Sequence, residues 1–189
     1  ETVPREKLPL LGIAAAFSFL AMLFNIPLPG GTTGHAVGGT LIAILFGPYA
    51  ACLAVSVALL IQALFFGDGG ILAFGANCFN MAFVLPFAGY FIYHGLKKVI
   101  SSDTVAAGIG AYVGINAAAF CAAVEFGIQP LLFTDAAGQA LYCPYPLWIS
   151  VPAMMIGHLT LFGLAEVVFT TGVLAYLRKT SPDLFQLAA

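Results

Sequence analysis

The feature that most constrains this chain is a succession of apolar stretches, most of them close to the length of a bilayer span, separated by short breaks bearing Gly, Pro or charge. They run roughly over residues 8–26, 35–47, 49–66, 71–93, 105–126 and 147–177. A helical span needs ~20 apolar residues, and backbone in lipid must satisfy its own hydrogen bonds, which leaves helices rather than open sheet. The stretch 35–47 is too short to cross fully and reads as a half-span or a tilted hairpin partner. Of the 189 residues, 61% are hydrophobic and 7% are charged, against roughly 25% charged in soluble domains. The expected fold is therefore an all-α integral membrane protein, a single transmembrane domain over residues 1–189 with about six segments, one of them short.

The few charges orient that bundle. Counting spans places Arg5 and Lys7, Lys97 and Lys98, and Arg178 and Lys179 on one side, while the opposite loops carry Asp68 and Asp135 without Lys or Arg. Cytoplasmic flanks collect basic residues, so the Arg5, Lys97, Lys98 and Arg178 side is predicted to be cytoplasmic. Tyr49, Tyr90, Tyr93 and Tyr176 then fall near the inner boundary, and Tyr142, Tyr145 and Trp148 near the outer one, as interfacial aromatic belts. A net charge of −2, with only six basic residues, gives no broad basic face for nucleic acid. Cys52, Cys78, Cys121 and Cys143 lack a CxxC spacing and read as small packing residues.

Two glycine-rich segments, Pro27 to His35 and Phe66 to Asn77, fall together on the side predicted to be extracytoplasmic. Irregular backbone persists at membrane depth only where it is buried in protein or lines a cavity, so these segments are expected to wall a pocket. Neither carries the Lys and Ser/Thr of a phosphate-binding loop, which excludes ATP hydrolysis by that route. His35 is the best ligand candidate: an imidazole beside the pocket with Thr32, Thr33 and Asp68 at hand to orient it, suited to nickel, copper, zinc or iron. Glu166 falls near the middle of the last span, where a bare charge costs ~2.5–3.5 kcal/mol on insertion scales; its partner is expected to be His158 or a group on another subunit. Pairs of small residues such as Ala107 with Ala111 and Gly110 with Gly114 fit close helix packing within the bundle or contact with a partner subunit, and Gly12, Ala15, Ala16 and Glu166 are the candidates for such a contact.

The segments Gly31-Thr32-Thr33-Gly34-His35-Ala36-Val37-Gly38-Gly39-Thr40 and Phe66-Gly67-Asp68-Gly69-Gly70 through Asn77-Cys78-Phe79-Asn80-Met81-Ala82 closely resemble the NikM/CbiM family, the substrate-binding S components of energy-coupling-factor (ECF) transporters for nickel and cobalt. The likeness runs from about Leu8 to Lys179. It implies that His35 is the loop histidine that binds the metal and that Asp68, Asn77 and Asn80, with Thr32 and Thr33, line the pocket. It also implies that the other ligands come from a Met-His amino terminus, absent from this sequence, and that this sequence lacks the family's additional N-terminal helix, Glu1 to Lys7 resembling the linker that follows it. The residues around His35 and Asp68 are closer to the nickel branch than to the cobalt branch, in which the histidine is typically followed by Pro.

The resemblance further implies a multi-pass protein of a prokaryotic inner or plasma membrane that captures Ni2+ (Co2+ being the alternative) on the extracytoplasmic side of His35 and Asp68. Its partners would be a membrane coupling (T) subunit, two cytoplasmic ATP-binding subunits and, in some systems, a small accessory membrane subunit. Two rival readings stand beside this one. The first is an S component for an organic micronutrient, which requires a deep aromatic cavity. The second is an intramembrane enzyme built on Cys121, His158 and Glu166, for which no GxSxG or HExxH pattern is present.

Overall fold

The computed structural model describes residues 8–28 and 32–181; Arg5 and the side chain of Thr32 fall outside that description. Helix α1 (Leu8–Met22) leads into a hairpin of β1 (Ile26–Leu28) and β2 (Thr32–Gly34), then α2 (Gly39–Phe46), α3 (Pro48–Phe66), α4 (Phe74–Leu96), α5 (Asp103–Leu132) and α6 (Leu147–Thr180). Helices α3 to α6 are four helices long and apolar enough to cross a membrane, whereas α1 and α2 are shorter at 15 and 8 residues. The chain is an all-α integral membrane protein.

Local chemistry sets the element ends. Helix α1 stops at Met22, four residues short of the apolar stretch, because Pro27 holds the residue before it in extended backbone. The chain then pairs antiparallel with itself, Ile26 against Gly34 and Pro27 against Thr33. Helix α2 begins at Gly39 rather than 35, after Gly38 turns the chain at φ 74°. Helix α3 starts on Pro48, whose missing N–H is harmless in a first turn. The Ser102 hydroxyl caps α5 by accepting the Val105 N–H, with Asp103 in the first turn. Within α4 the stretch Cys78–Val84 is wound as π-helix just before Pro86, which offers no N–H and whose ring pushes aside the Ala82 carbonyl. A second π-helical stretch, His158–Phe162, interrupts α6.

Small residues let the centre close. A Cβ on Gly89 would overlap the Thr40 side chain, and one on Gly110 or Gly114 would stand 2.7 Å from the Gly89 or Leu85 carbonyl oxygen. The backbones of α4 and α5 therefore touch, with α2 wedged against them, and Ala107 and Ala111 are buried in the same way. These pairs pack within the chain. On α1, Ala15 departs from the expected subunit contact and joins the core, while Gly12 and Ala16 remain on the outward face. Tyr93 departs from the expected belt: it is buried, with the Lys97 ammonium 5.4 Å from its ring centroid. Tyr49, Tyr142, Trp148 and Tyr176 are exposed. At one end of the bundle Lys97 lies 3.1 Å from Asp103, which Arg178 also engages.

Candidate functional site

The loop between β2 and α2 carries His35, and three attachments hold it. Gly34 lies so close to the Phe162 ring that any Cβ there would overlap it, which seats the hairpin on α6. The Ser18 hydroxyl, buried on α1, donates to the Val37 carbonyl at 2.8 Å. The Glu166 carboxylate, with no exposed surface, accepts the Val37 N–H at 2.8 Å and the Gly38 N–H at 2.9 Å. Glu166 thus sits on the N-terminus of α2, where free N–H groups and the helix dipole favour a negative charge. That finding replaces both partners expected from sequence. The His158 ring is engaged elsewhere, and a residue this enclosed presents nothing to another subunit.

Fixed in this way, His35 lines a cavity of about 230 Å³. The cavity gathers Thr33, Asp68, Asn77 and Asn80, all singled out from sequence, together with Asn25, Met81, Met154 and His158. The remaining wall is largely apolar, from Val37, Leu85, Ile115, Ala118, Ala119, Ala122 and Phe126. The second glycine segment folds over one side: the Asn77 amide donates to the Gly69 carbonyl at 3.2 Å, and Gly69 has a φ of 72° that a side chain would strain. The Asn80 amide nitrogen donates to Glu125 at 2.7 Å, leaving Asn80 Oδ1 buried without a partner. Glu125 thereby orients a wall of the cavity.

The ring of His35 is chemically poised. Its Nδ1 lies 3.1 Å from the Ala36 carbonyl, which can only accept, so in the neutral ring Nδ1 carries the proton and Nε2 keeps its lone pair. Burial pulls the imidazole below its ordinary basicity, and the Ala36 carbonyl and Asp68 pull weakly the other way. The ring is held in the form a metal ion needs. Among the described residues no group of three or more His, Cys, Asp or Glu is gathered to hold a metal ion. Cys121 is not part of the cavity wall and Glu166 is spent on the loop, so the three residues of the intramembrane-enzyme reading do not converge.

Sequence reasoning missed His158, Met81 and Met154 as cavity residues. Their place inside apolar spans signals burial but not which neighbour they meet. The π-helical stretch that begins at His158 has no sequence signature either, apart from Pro152 six residues before it.

Fold and cavity together define a class, an all-α membrane protein enclosing a small chamber with an imidazole and amides in its wall. The chain belongs to the CbiM family, whose profile, described as the cobalt uptake substrate-specific transmembrane region, matches residues 1–184. Members of that family are transport components. The chain is 56% identical over 182 residues to the "Probable fused nickel transport protein LarMN" of Lactiplantibacillus plantarum, covering 96% of this chain and 55% of that protein. It is 54% identical over 183 residues to the fused nickel transport protein NikMN of Rhodobacter capsulatus, covering 95% and 53%. The chain thus spans about half the length of these curated relatives. A crystal structure described as a truncated transition metal transporter superposes with a TM-score of 0.92 at 51% identity, covering 95% of this chain and 84% of that one.

Proposed function

We propose that this chain is the substrate-capturing membrane component of an ATP-driven, ECF-type nickel uptake transporter, with Ni2+ as cargo bound through His35 Nε2 inside the cavity. The observation that carries the reading is the His35 ring itself, held on a pinned loop, in the ligating tautomer, at the wall of a chamber of about 230 Å³. Thr33, Asp68, Asn77 and Asn80 line that chamber and would orient His35 and the water on the ion. The names of the two relatives at 56% and 54% identity support nickel over cobalt. A chamber of about 230 Å³ speaks against an organic micronutrient, since pockets for such ligands occupy ~300–1,000 Å³.

The position of the chamber along α5 supports the sidedness of this reading. Asp103, held by Lys97 and Arg178, opens that helix, and the cavity is walled by its residues 115–126. At 1.5 Å per residue the lining residues Ile115 to Phe126 lie about 18–35 Å along the axis from Asp103. With the Lys97, Lys98 and Arg178 end cytoplasmic, the chamber lies on the extracytoplasmic side and takes metal from outside. Energy would come from the coupling subunit and two ATP-binding subunits, with Gly12 and Ala16 on the outward face of α1 as a contact for the coupling subunit.

The test is calorimetric titration of nickel and cobalt into detergent-purified protein, with and without an added Met-His amino-terminal segment, for wild type and His35→Ala. Nickel binding that is lost at least a hundredfold in His35→Ala supports the reading, and binding indifferent to His35 sinks it. Acidification supplies a second check. Proton and metal compete for Nε2, and burial keeps the ring neutral below its ordinary value, so affinity should hold through pH 6.5 and fall only below it.

A further inference from the structure

One polar group at the chamber is left without a partner by the fold. Asn80, 4% exposed, stands in the π-helical stretch Cys78–Val84 of α4 and lines the chamber. Its Nδ2 donates to Glu125 Oε2 at 2.7 Å, and its Oδ1 is buried without a hydrogen-bond partner among the described residues. A carboxylate takes the NH2 end of an amide, so Glu125 decides which end of Asn80 is tied to α5 and which is left free. Buried acceptors are nearly always paired in folded proteins, and one that is not calls for a donor.

The neighbouring wall does not offer that donor. Asn77 donates its amide to the Gly69 carbonyl, and the other side chains that α4 and α5 bring to the chamber are apolar or, at Met81, a thioether. Both imidazoles at the chamber, His35 and His158, turn Nδ1 to a backbone carbonyl. The donor then comes with the occupant. A divalent ion held by one imidazole in a chamber of about 230 Å³ keeps other groups in its remaining positions, and a water or amine on such an ion is a polarised donor. A carboxylate bound at the NH2 end of an amide also enriches the carbonyl end in electron density, which strengthens it as an acceptor.

We propose that Asn80 Oδ1 accepts a hydrogen bond from a water or amine on the captured ion, and that Glu125 is the positioning residue that keeps this acceptor available to it. The inference rests on the capture reading above. Glu125 is half-buried on α5, is not part of the chamber wall, and acts only through Asn80. The pair sets a strong neutral acceptor beside the ion, while Asp68 remains the carboxylate of the wall.

The competing account is that the pair only fastens α4 to α5, a contact already closed at Gly89, Gly110 and Gly114. Calorimetry of Ni2+ with the purified chain and the added Met-His segment, read beside metal-free unfolding in detergent, separates the two. Asn80→Leu removes the acceptor and should weaken nickel binding about tenfold or more. Its metal-free unfolding midpoint should change little, because an unpaired buried carbonyl is lost together with the hydrogen bond. Glu125→Leu frees the amide to turn and should weaken binding about fivefold or more, whereas Glu125→Gln, which keeps an acceptor for Nδ2, should stay within about threefold of wild type. Adding Glu125→Leu to Asn80→Leu should cost no further affinity, since a residue that acts through Asn80 has nothing left to position. Wild-type affinity in Asn80→Leu or in Glu125→Leu overturns the proposal, as does a further severalfold loss in the double variant. Glu125 is half-buried, so its two variants carry the test even if Asn80→Leu does not fold. If His35→Ala abolishes nickel binding and these variants leave it intact, only this inference falls; if His35→Ala has no effect, the capture reading falls with it.

Discussion

Asp103 and Glu166 are both held by N–H donors, but by opposite means. Asp103 sits at the end of the bundle between Lys97 and Arg178, with about a quarter of its side chain exposed. Glu166 is wholly enclosed, its recorded partners are two backbone N–H groups, and no Lys or Arg lies near it in sequence within α6 until Arg178. The first arrangement joins flexible side chains in partial contact with water. The second fixes a backbone at a helix start and, through it, the direction of His35. The same functional group therefore serves assembly of a helix end in one place and aim of a ligand in the other.

Removing the enclosed carboxylate is the harshest way to break the contrast. Glu166→Ala strands the Val37 and Gly38 N–H groups in an apolar interior, which should cost about 3–5 kcal/mol. It should also weaken nickel binding tenfold or more, because the His35 loop loses its anchor. Detergent unfolding curves and calorimetry read the two effects. Stability lost with nickel affinity unchanged would show that Glu166 holds the fold without aiming His35.

Glu166→Gln sharpens the comparison by removing the charge and keeping the shape. One amide oxygen can still accept an N–H, but the NH2 group must then face the other N–H as donor against donor. A loss of about 1–3 kcal/mol follows, with nickel affinity falling only several-fold. If glutamine behaves like wild type in both measurements, the carboxylate's charge at the α2 N-terminus is irrelevant and only its outline counts.

The opposite face of the same loop supplies a third step. Ser18→Ala removes the hydroxyl that donates to the Val37 carbonyl, a loss of about 1–2 kcal/mol. Two N–H bonds from Glu166 remain, so nickel affinity should change by threefold at most. A larger change would mean that α1, not α6, sets the loop.

How far these features could be read beforehand depended on their range in sequence. The spans follow from local hydropathy, the pocket residues His35, Thr33 and Asp68 from two contiguous glycine-rich segments whose irregular backbone had to line something, and Asn77 and Asn80 from the resemblance to the family. The Glu166 contact joins positions 128 and 129 residues apart, and no periodicity in α6 points to a backbone N–H on a loop so far away. The cost of a mid-span carboxylate made a partner obligatory without naming it. Likewise hydropathy overextends α1 because it runs through Phe24 and Ile26, while the restriction before Pro27 and the pairing with Thr32–Gly34 decide where helix gives way to hairpin. From sequence His158 is a candidate partner for Glu166; what it faces depends on a π-helical turn that only the folded chain reveals.

The mildest perturbation lies at the other carboxylate. Asp103→Asn removes the charge that Lys97 and Arg178 share, and the asparagine side chain can still accept a hydrogen bond from either. The Lys97 ammonium, whose basicity is raised chiefly by its hydrogen bond to Asp103, has 44% of its side chain exposed and water to replace the lost partner. Screened pairs of this kind contribute about 0.2–1 kcal/mol, so the unfolding midpoint should move little and nickel affinity not at all. Raising salt should shrink even that difference, because a Debye length of ~8–10 Å near 0.1–0.15 M falls to ~3 Å at 1 M. A loss as large as that of Glu166→Ala, insensitive to salt, would show that the two carboxylates do the same work and that the contrast between the two ends of the bundle is false.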